Sequence, residues 1–292
     1  MFYIFLSICC SVIVSVLLKL AKRYQIDVYQ AVTWNYSAAI FLTWVFFRPH
    51  ITNLQDGPIL TYSLLGILLP FLFVVIAISI KLTGIVRTDV AERLSLFIPV
   101  LSAFLLFGET SDAIKVTGIS MGVIAMLCLI PWKNKGAVKR KSSNSWFYLF
   151  LIFIGMGVID VLLKQIAKFT AVPFTTSLFI VFILAFAVSL LGLIYMVITK
   201  RMRFSWPHIF IGGVLGTANF GNILFNIKAH QALANRPSTV FSTMNIGVII
   251  LGALVGLIVF KEKLSRLNLA GIILAIFAIV IISYPELFQH IG

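Results

Sequence analysis

The chain has 292 residues, of which 61% are hydrophobic and only 11% are charged, and its mean hydropathy is +1.08. So little polar surface cannot cover a water-soluble globule of this size, which excludes a soluble protein and indicates an integral membrane protein. The 23 Lys and Arg residues outnumber the 9 Asp and Glu residues, but they lie mostly at the ends of apolar runs. This placement favours contact with the lipid bilayer and not with nucleic acid.

A helix needs about 20 apolar residues to cross the hydrocarbon core of a membrane. The chain contains ten such runs, near 2–20, 28–47, 59–82, 87–107, 112–131, 146–168, 174–199, 206–230, 237–260 and 264–284. Most of the links between them are short, so neighbouring helices are expected to be antiparallel and to form one bundle. The sequence therefore predicts an all-α, multi-pass protein of the inner or plasma membrane with ten transmembrane helices.

A basic, polar segment at 133–145 interrupts this pattern near the midpoint of the chain. Its composition is that of a linker. It divides the chain into residues 1–132 and residues 146–292, each with five predicted spans.

Ordered matches between the two halves predict an internal repeat. The matches keep the same order, with offsets of 145, 147 and 153 residues. They pair Lys19 with Lys164, Gly66 with Gly213, Ile80-Lys81 with Ile227-Lys228, Glu109 with Glu262, and Gly118-Ile119 with Gly271-Ile272. Because each half has an odd number of spans, the second half enters the membrane from the opposite side. This is an inverted repeat, an architecture of alternating-access carriers.

The end of each half carries a common pattern. A predicted span is followed by Gly108-Glu109 or by Lys261-Glu262, and a glycine, Gly118 or Gly271, stands nine residues after the glutamate. With Pro99 ten residues before Glu109, the chain resembles the EamA-type transporters of the drug/metabolite transporter superfamily over essentially its whole length. The resemblance implies ten helices as two five-helix units, a central cavity and carriage of a small metabolite of unspecified identity. Gly252 stands where the first half has Pro99, so a kink in the ninth span is an open question.

The most informative candidate residues are Asp160 and Lys164, which share one face of the sixth predicted span. A charged side chain at this depth costs about 2.5–3.5 kcal/mol on insertion scales and is expected to face the protein interior. The two groups are suited to binding the ends of a zwitterion, and Asp160 is suited to taking up a proton. The alternative is a mutually neutralising pair with Lys164 reaching to the membrane surface.

Three further lysines, Lys19, Lys81 and Lys228, lie close to span ends. Single residues of this kind are usually anchors. Their pairing across the repeat favours substrate binding or gating at opposite mouths of one cavity.

The eighth predicted span carries a polar stripe on one helix face, made of Asn219, Asn222, Asn226 and His230. Such groups either bond to neighbouring helices or line a cavity. The stripe runs from mid-span to the mouth, which favours a lining role for the asparagines and gating or coupling for His230. Asn245 in the ninth span is interpreted in the same way.

Two other segments supply candidates. Trp34, with its neighbours Asn35 and Tyr36, lies at mid-span, which is unusual for Trp and indicates contact with substrate. At the start of the fourth span, Asp89 and Arg93 have the spacing of an ion pair, whereas Glu92 has no evident partner in the sequence. Glu92 and Arg93 are therefore candidates for gating or coupling, against the alternative of an ion-paired helix start.

The predicted function is secondary transport of a small polar metabolite, anionic or zwitterionic, by alternating access, coupled to protons or to substrate antiport. The first alternative is a membrane scaffold whose basic loops bind anionic lipids. The second is an intramembrane serine hydrolase, because Gly118-Ile119-Ser120-Met121-Gly122 matches G-x-S-x-G and His230 is a histidine near bilayer depth. No sequence motif for ATP or zinc is present, so no cofactor, metal site or catalytic residue is predicted.

Orientation is left open by the sequence. The basic residues cluster in the odd-numbered loops, which places both termini outside the cytoplasm by the positive-inside rule. The family resemblance implies the reverse.

Overall fold

The computed structural model describes residues 1–23, 26–49, 57–83, 85–109, 113–129, 145–199, 204–259 and 266–283. All regular secondary structure in these ranges is helical, in eleven α-helices. They are α1 (Phe2–Arg23), α2 (Val28–Phe47), α3 (Ile59–Thr83), α4 (Ile85–Leu94), α5 (Phe97–Leu105), α6 (Ala113–Leu129), α7 (Ser145–Lys168), α8 (Phe174–Ile198), α9 (Pro207–Ala232), α10 (Pro237–Ile258) and α11 (Arg266–Ser283). The basic linker predicted at 133–145 lies outside the described residues except for Ser145, where α7 begins.

Five of the described helices, α3, α7, α8, α9 and α10, are long and apolar enough to cross a membrane. Shorter apolar stretches occur in α1, α6 and α11. The protein is therefore an all-α membrane protein, as its composition predicts.

The fourth predicted span is not one helix, which corrects the sequence prediction. It is divided into α4 and α5 by a turn at Ser95 and Leu96. Pro99 explains the division, because a proline has no N–H for the carbonyl four residues earlier and its ring clashes with that carbonyl. The Ser95 carbonyl instead accepts a bond from the Ile98 N–H at 3.0 Å, which tightens the chain into a turn.

The corresponding helix of the second half is continuous. α10 runs as one helix, without a break, through Gly252. A side chain added at Gly252 would meet open space, so the glycine is not there for close packing.

Helices of the N-terminal half pack mainly against helices of the C-terminal half. α1 contacts α9 and α10, α2 contacts α8 and α9, α3 contacts α7 and α8, α4 and α5 contact α7, α5 also contacts α10, and α6 contacts α11. The two halves of the sequence therefore interleave in space.

The largest apolar cluster joins α2, α3, α7, α8 and α9. Its fully buried side chains include Tyr36, Tyr62, Leu65, Phe182 and Ile227. Lipid is as apolar as these side chains, so helix association in a membrane depends on close van der Waals packing and hydrogen bonds more than on burial itself. The buried Tyr62 and Ser177 hydroxyls add one such bond, 2.7 Å long, between α3 and α8.

Glycines allow the closest helix contacts. On α9, Gly212 and Gly216 lie against α2, where a Cβ at Gly216 would stand 2.4 Å from the Asn35 carbonyl oxygen. On α6, Gly118 lies against Ile281 and Ile282 of α11, whereas Gly122 lies against Ile246 of α10 and, less closely, Ala278 of α11. The four-residue spacing of these glycines favours such close helix contacts. Gly212 and Gly216 have the same four-residue spacing.

Candidate functional site

The polar stripe of α9 divides into bonded and unbonded groups. The Ser7 hydroxyl on α1 donates to the Asn222 side-chain oxygen at 2.9 Å, so Asn222 links two helices. The Asn226 amide donates to the Met244 sulfur on α10 at 3.4 Å. These two asparagines therefore serve, at least in part, the helix-bonding role that was the alternative to lining.

Other polar atoms of the stripe are buried with no hydrogen-bond partner among the described residues. They are the Asn219 amide nitrogen, the Asn226 side-chain oxygen and both ring nitrogens of His230. His230 is 1% exposed, and its ring packs on the Phe241 ring with a centroid distance of 4.5 Å. A buried polar group without a partner costs free energy, so this part of α9 is suited to receiving a hydrogen-bonding ligand.

The next helix, α10, also carries buried hydroxyl groups that have no hydrogen-bond partner among the described residues. The side-chain oxygens of Thr239, Ser242 and Thr243 are buried and have no partner within the described ranges. Asn245 donates to the Phe241 carbonyl of its own helix at 3.0 Å. α9 and α10 thus carry neutral hydrogen-bonding groups in the protein interior.

The middle of α2 also carries buried polar atoms. The Trp34 indole nitrogen, both polar atoms of the Asn35 side chain and the Tyr36 hydroxyl are buried without a partner among the residues that the structure describes. Asn35 and Tyr36 have no exposed surface, whereas Trp34 is partly buried. The middle of α2 therefore carries buried polar atoms at Trp34 and at its two neighbours.

Asp160 of α7 is partly exposed and has the Arg93 guanidinium of α4 as a charged neighbour. No ion pair between Asp160 and Lys164 occurs among the described residues. The structure therefore does not support the alternative of a mutually neutralising pair. Asp160 remains the interior carboxylate of α7, with opposite charge supplied from a different helix.

Lys164 is 3% exposed, so its side chain is buried inside the protein. Its ammonium group donates to the carbonyl of Ala234 at 3.1 Å and to that of His230 at 3.4 Å, at the C-terminal end of α9. It also lies 5.9 Å from the centre of the Phe107 ring. Lys164 therefore holds a helix end in this structure, and its role in substrate binding stays a prediction.

Glu109 bonds to the start of α10, as Lys164 bonds to the end of α9. One carboxylate oxygen accepts from the Lys115 ammonium at 2.6 Å and from the Ser238 hydroxyl at 2.7 Å, and the other accepts from the Ser238 backbone N–H at 2.7 Å. Glu109 and Lys115 are both buried. The sequence singles out Glu109 as part of the repeat pattern, but its bond to Ser238, 129 residues away, is visible only in the fold.

The chain turn that presents Glu109 depends on Gly108. Its φ of +67° is in the left-handed region, which costs an L side chain roughly 1–2 kcal/mol. A Cβ at this position would meet nothing within 4 Å, so only the backbone conformation demands glycine.

We expect Gly108→Ala to lower the free energy of unfolding by about 1 kcal/mol, because alanine must adopt this backbone conformation. Gly108→Asn is the matched control and should lose less, since asparagine enters the left-handed region more readily. Thermal unfolding of the purified variants measures the difference. Equal losses for the two variants would mean that the backbone angle is not the cause.

The remaining candidates are placed as follows. Lys228 is partly buried, with its ammonium 5.7 Å from the centre of the Tyr3 ring, a contact compatible with anchoring. Glu92 and Arg93 both have interaction partners, so the premise that Glu92 lacks one is wrong. The side chains of Lys19 and Lys81 lie outside the described part of the structure, as does that of Asp89.

The G-x-S-x-G motif lies inside the continuous helix α6, where Ser120 is exposed on the helix side. The strand-to-helix turn that such a nucleophile needs is not formed at these residues. Among the described residues, no three His, Cys, Asp or Glu side chains are grouped to hold a metal ion.

The fold and the polar groups inside it define an all-α membrane protein with a polar interior. No family model matches the sequence. The chain is 41% identical over 291 residues to an uncharacterized protein of Haemophilus influenzae, which covers 96% of this chain and 97% of the other. The chain belongs to the same family as that protein. A solved crystal structure with 13% identity matches it with a TM-score of 0.76, covering 99% of this chain and 98% of the other, which shows a shared fold.

Proposed function

We propose that the protein is a secondary carrier of the EamA type that moves a small polar metabolite across a cell membrane by alternating access. The observation that carries this proposal is the set of unpartnered polar atoms buried on α2, α9 and α10, of which α9 and α10 are long and apolar enough to cross a membrane. A membrane scaffold needs no such interior, because polar groups within a bilayer are costly unless they bind something.

The pattern of helix contacts supports an inverted repeat. Matching the halves in order pairs α1 with α7, α2 with α8, α3 with α9, the α4 and α5 pair with α10, and α6 with α11. When each helix is replaced by its match in the other half, the α2–α9 contact corresponds to the α8–α3 contact. In the same way, the α1–α9 contact corresponds to the α7–α3 contact. The contact of α1 with α10 becomes that of α7 with α4 and α5, and all of these contacts occur. Two five-span units related by a pseudo-two-fold axis account for this reciprocity.

The charges inside the bundle favour a zwitterionic substrate. Asp160 and Arg93 bring opposite charges together from α7 and α4. The neutral hydroxyl, amide and imidazole groups of α9 and α10 suit the polar body of a small metabolite. Asp160 is also the group of choice for proton coupling, because an interior carboxylate can be neutralised by a proton or by a substrate ammonium group.

A thermal-shift screen of the purified protein against pools of small metabolites tests the proposal. A ligand present at 100 times its Kd raises apparent stability by about 2.7 kcal/mol when it binds only the folded state. We expect a zwitterionic or anionic metabolite to raise the unfolding temperature, and Asp160→Asn to abolish the rise because the variant lacks the interior carboxylate. Uptake of the same metabolite into proteoliposomes should be lost in parallel.

The chain offers a matched control in Asp27, which caps the N-terminus of α2 by accepting from the Tyr29 and Gln30 backbone N–H groups. Asparagine is as good a cap as aspartate, so Asp27→Asn removes a carboxylate with little effect on the fold and should retain the shift. A protein stabilised by anionic lipid but by no metabolite would instead be the scaffold, and the carrier proposal would be rejected.

A further inference from the structure

We infer that Glu109, Lys115 and Lys164 form a latch that holds one end of the bundle closed by clamping the link between α9 and α10. The latch is defined by these three side chains and by their contacts with Ser238, Ala234 and His230. The inference rests on the proposed carrier function, because only an alternating-access protein has to open this end.

The charges of the latch match the helix ends that they touch. The N-terminus of a helix carries partial positive charge and the C-terminus partial negative charge. Glu109, an anion, accepts the Ser238 N–H, which is the first one that α10 offers because Pro237 has none. Lys164, a cation, donates to the Ala234 and His230 carbonyls at the end of α9. The residue before Pro237, Arg236, supplies no capping bond from its side chain, so α10 takes this cap from the other half of the chain.

The contacts of the latch are buried and charge-assisted. Glu109 is 9% exposed, Lys115 is 7% exposed and Lys164 is 3% exposed. Charged hydrogen bonds are stronger than neutral ones, and losing one partner inside a protein leaves the other charge uncompensated. The two ends of the α9–α10 link are thus held from separate elements, the segment after α5 and the helix α7.

The latch lies at the end of the bundle where the chain begins. Tyr3 contacts Lys228 near the end of α9, and Gly118 near the start of α6 meets Ile281 and Ile282 near the end of α11. One turn along α10 from Ser238, Ser242 has 0% exposure and an unpartnered hydroxyl. The structure therefore represents the protein with this end closed over its interior polar groups.

The test measures how fast Ser242→Cys is alkylated by a membrane-impermeant maleimide. The background carries alanine at Cys9, Cys10 and Cys128, which are free thiols. Membrane vesicles are chosen in which a protease cleaves an N-terminal tag, so that the reagent and the latch are on the same side. We expect Glu109→Gln to accelerate labelling about tenfold or more, as the loss of charged hydrogen bonds predicts. Lys164→Gln should also accelerate it.

The matched control is Lys168→Gln, one turn further along α7 at an exposed position, which should leave the rate unchanged. The thermal midpoint of each variant shows whether it is folded. If Glu109→Gln is not folded, Lys164→Gln tests the latch in its place. Equal acceleration by Glu109→Gln and Lys168→Gln would indicate general loosening and would overturn the latch, as would unchanged rates in both latch variants. Labelling needs no ligand, so the two proposals can fail separately. If no metabolite raises the unfolding temperature but labelling of the latch variants is accelerated, the carrier proposal is rejected and the closure of this end is retained.

Discussion

Glu109→Ala is expected to lower the free energy of unfolding by about 3–5 kcal/mol, the usual cost of breaking a buried ion pair by removing one partner. The variant loses the 2.6 Å bond to Lys115 and both bonds to Ser238. It also leaves the Lys115 ammonium buried without its carboxylate. Thermal unfolding in detergent, or unfolding by denaturant, measures the loss.

A double variant separates the uncompensated charge from the rest of the effect. Glu109→Ala combined with Lys115→Met removes both charges, so most of the stability should return. The helix cap at Ser238 is still missing in this variant, and a residual loss of about 1 kcal/mol is expected from it. If the loss of unfolding free energy in the double variant equals the sum of the losses in the two single variants, Glu109 and Lys115 are not a coupled pair.

Gly216→Ala is expected to lower the free energy of unfolding by about 1–3 kcal/mol, because an added methyl group forces α2 and α9 apart. Its Cβ would stand 2.4 Å from the Asn35 carbonyl oxygen and 2.8 Å from the Ala38 Cβ. Backbone atoms cannot move aside as a flexible side chain can. The whole helix pair must therefore shift, and the packing around Asn35 and Tyr36 is expected to change with it.

Gly213 provides the matched control for this prediction. It lies on the same helix, and a Cβ there would meet nothing within 4 Å. Gly213→Ala should be neutral or should stabilise α9 by about 0.5–1 kcal/mol, since alanine favours a helix more than glycine does. Comparable destabilisation by the two substitutions would show that helix propensity, and not the contact with α2, decides the effect.

The polar stripe of α9 shows how far sequence periodicity reaches. The spacing of Asn219, Asn222, Asn226 and His230 predicts that they share a helix face, and one helix indeed carries them. The spacing does not tell which neighbour each side chain meets. Asn222 meets Ser7, 215 residues away, whereas both ring nitrogens of His230 meet no partner in the described residues. That difference depends on how α1 and α10 pack on α9.

The charged residues show the same limit. Lys164 and Asp160 are recognised from sequence as interior charges because charges are rare in apolar runs of this length. Four-residue spacing favours a pair between them, but the ammonium group of Lys164 bonds to the end of α9 instead. A helix C-terminus with unpaired carbonyls is a strong acceptor for a cation, and nothing local in the sequence shows that one lies beside Lys164.

By itself the sequence determined the membrane class, the helical content and the approximate positions of the described helices, apart from the division between α4 and α5, because hydropathy and chain breaks are local properties. It also contained the cause of the break at Pro99, although the break itself was not predicted. Only the tertiary structure decided which half-to-half contacts form, which polar atoms are left without partners, and that Glu109 and Lys164 clamp the α9–α10 link. These depend on residues more than 60 positions apart in the chain, and sequence spacing carries no information on distances of that kind.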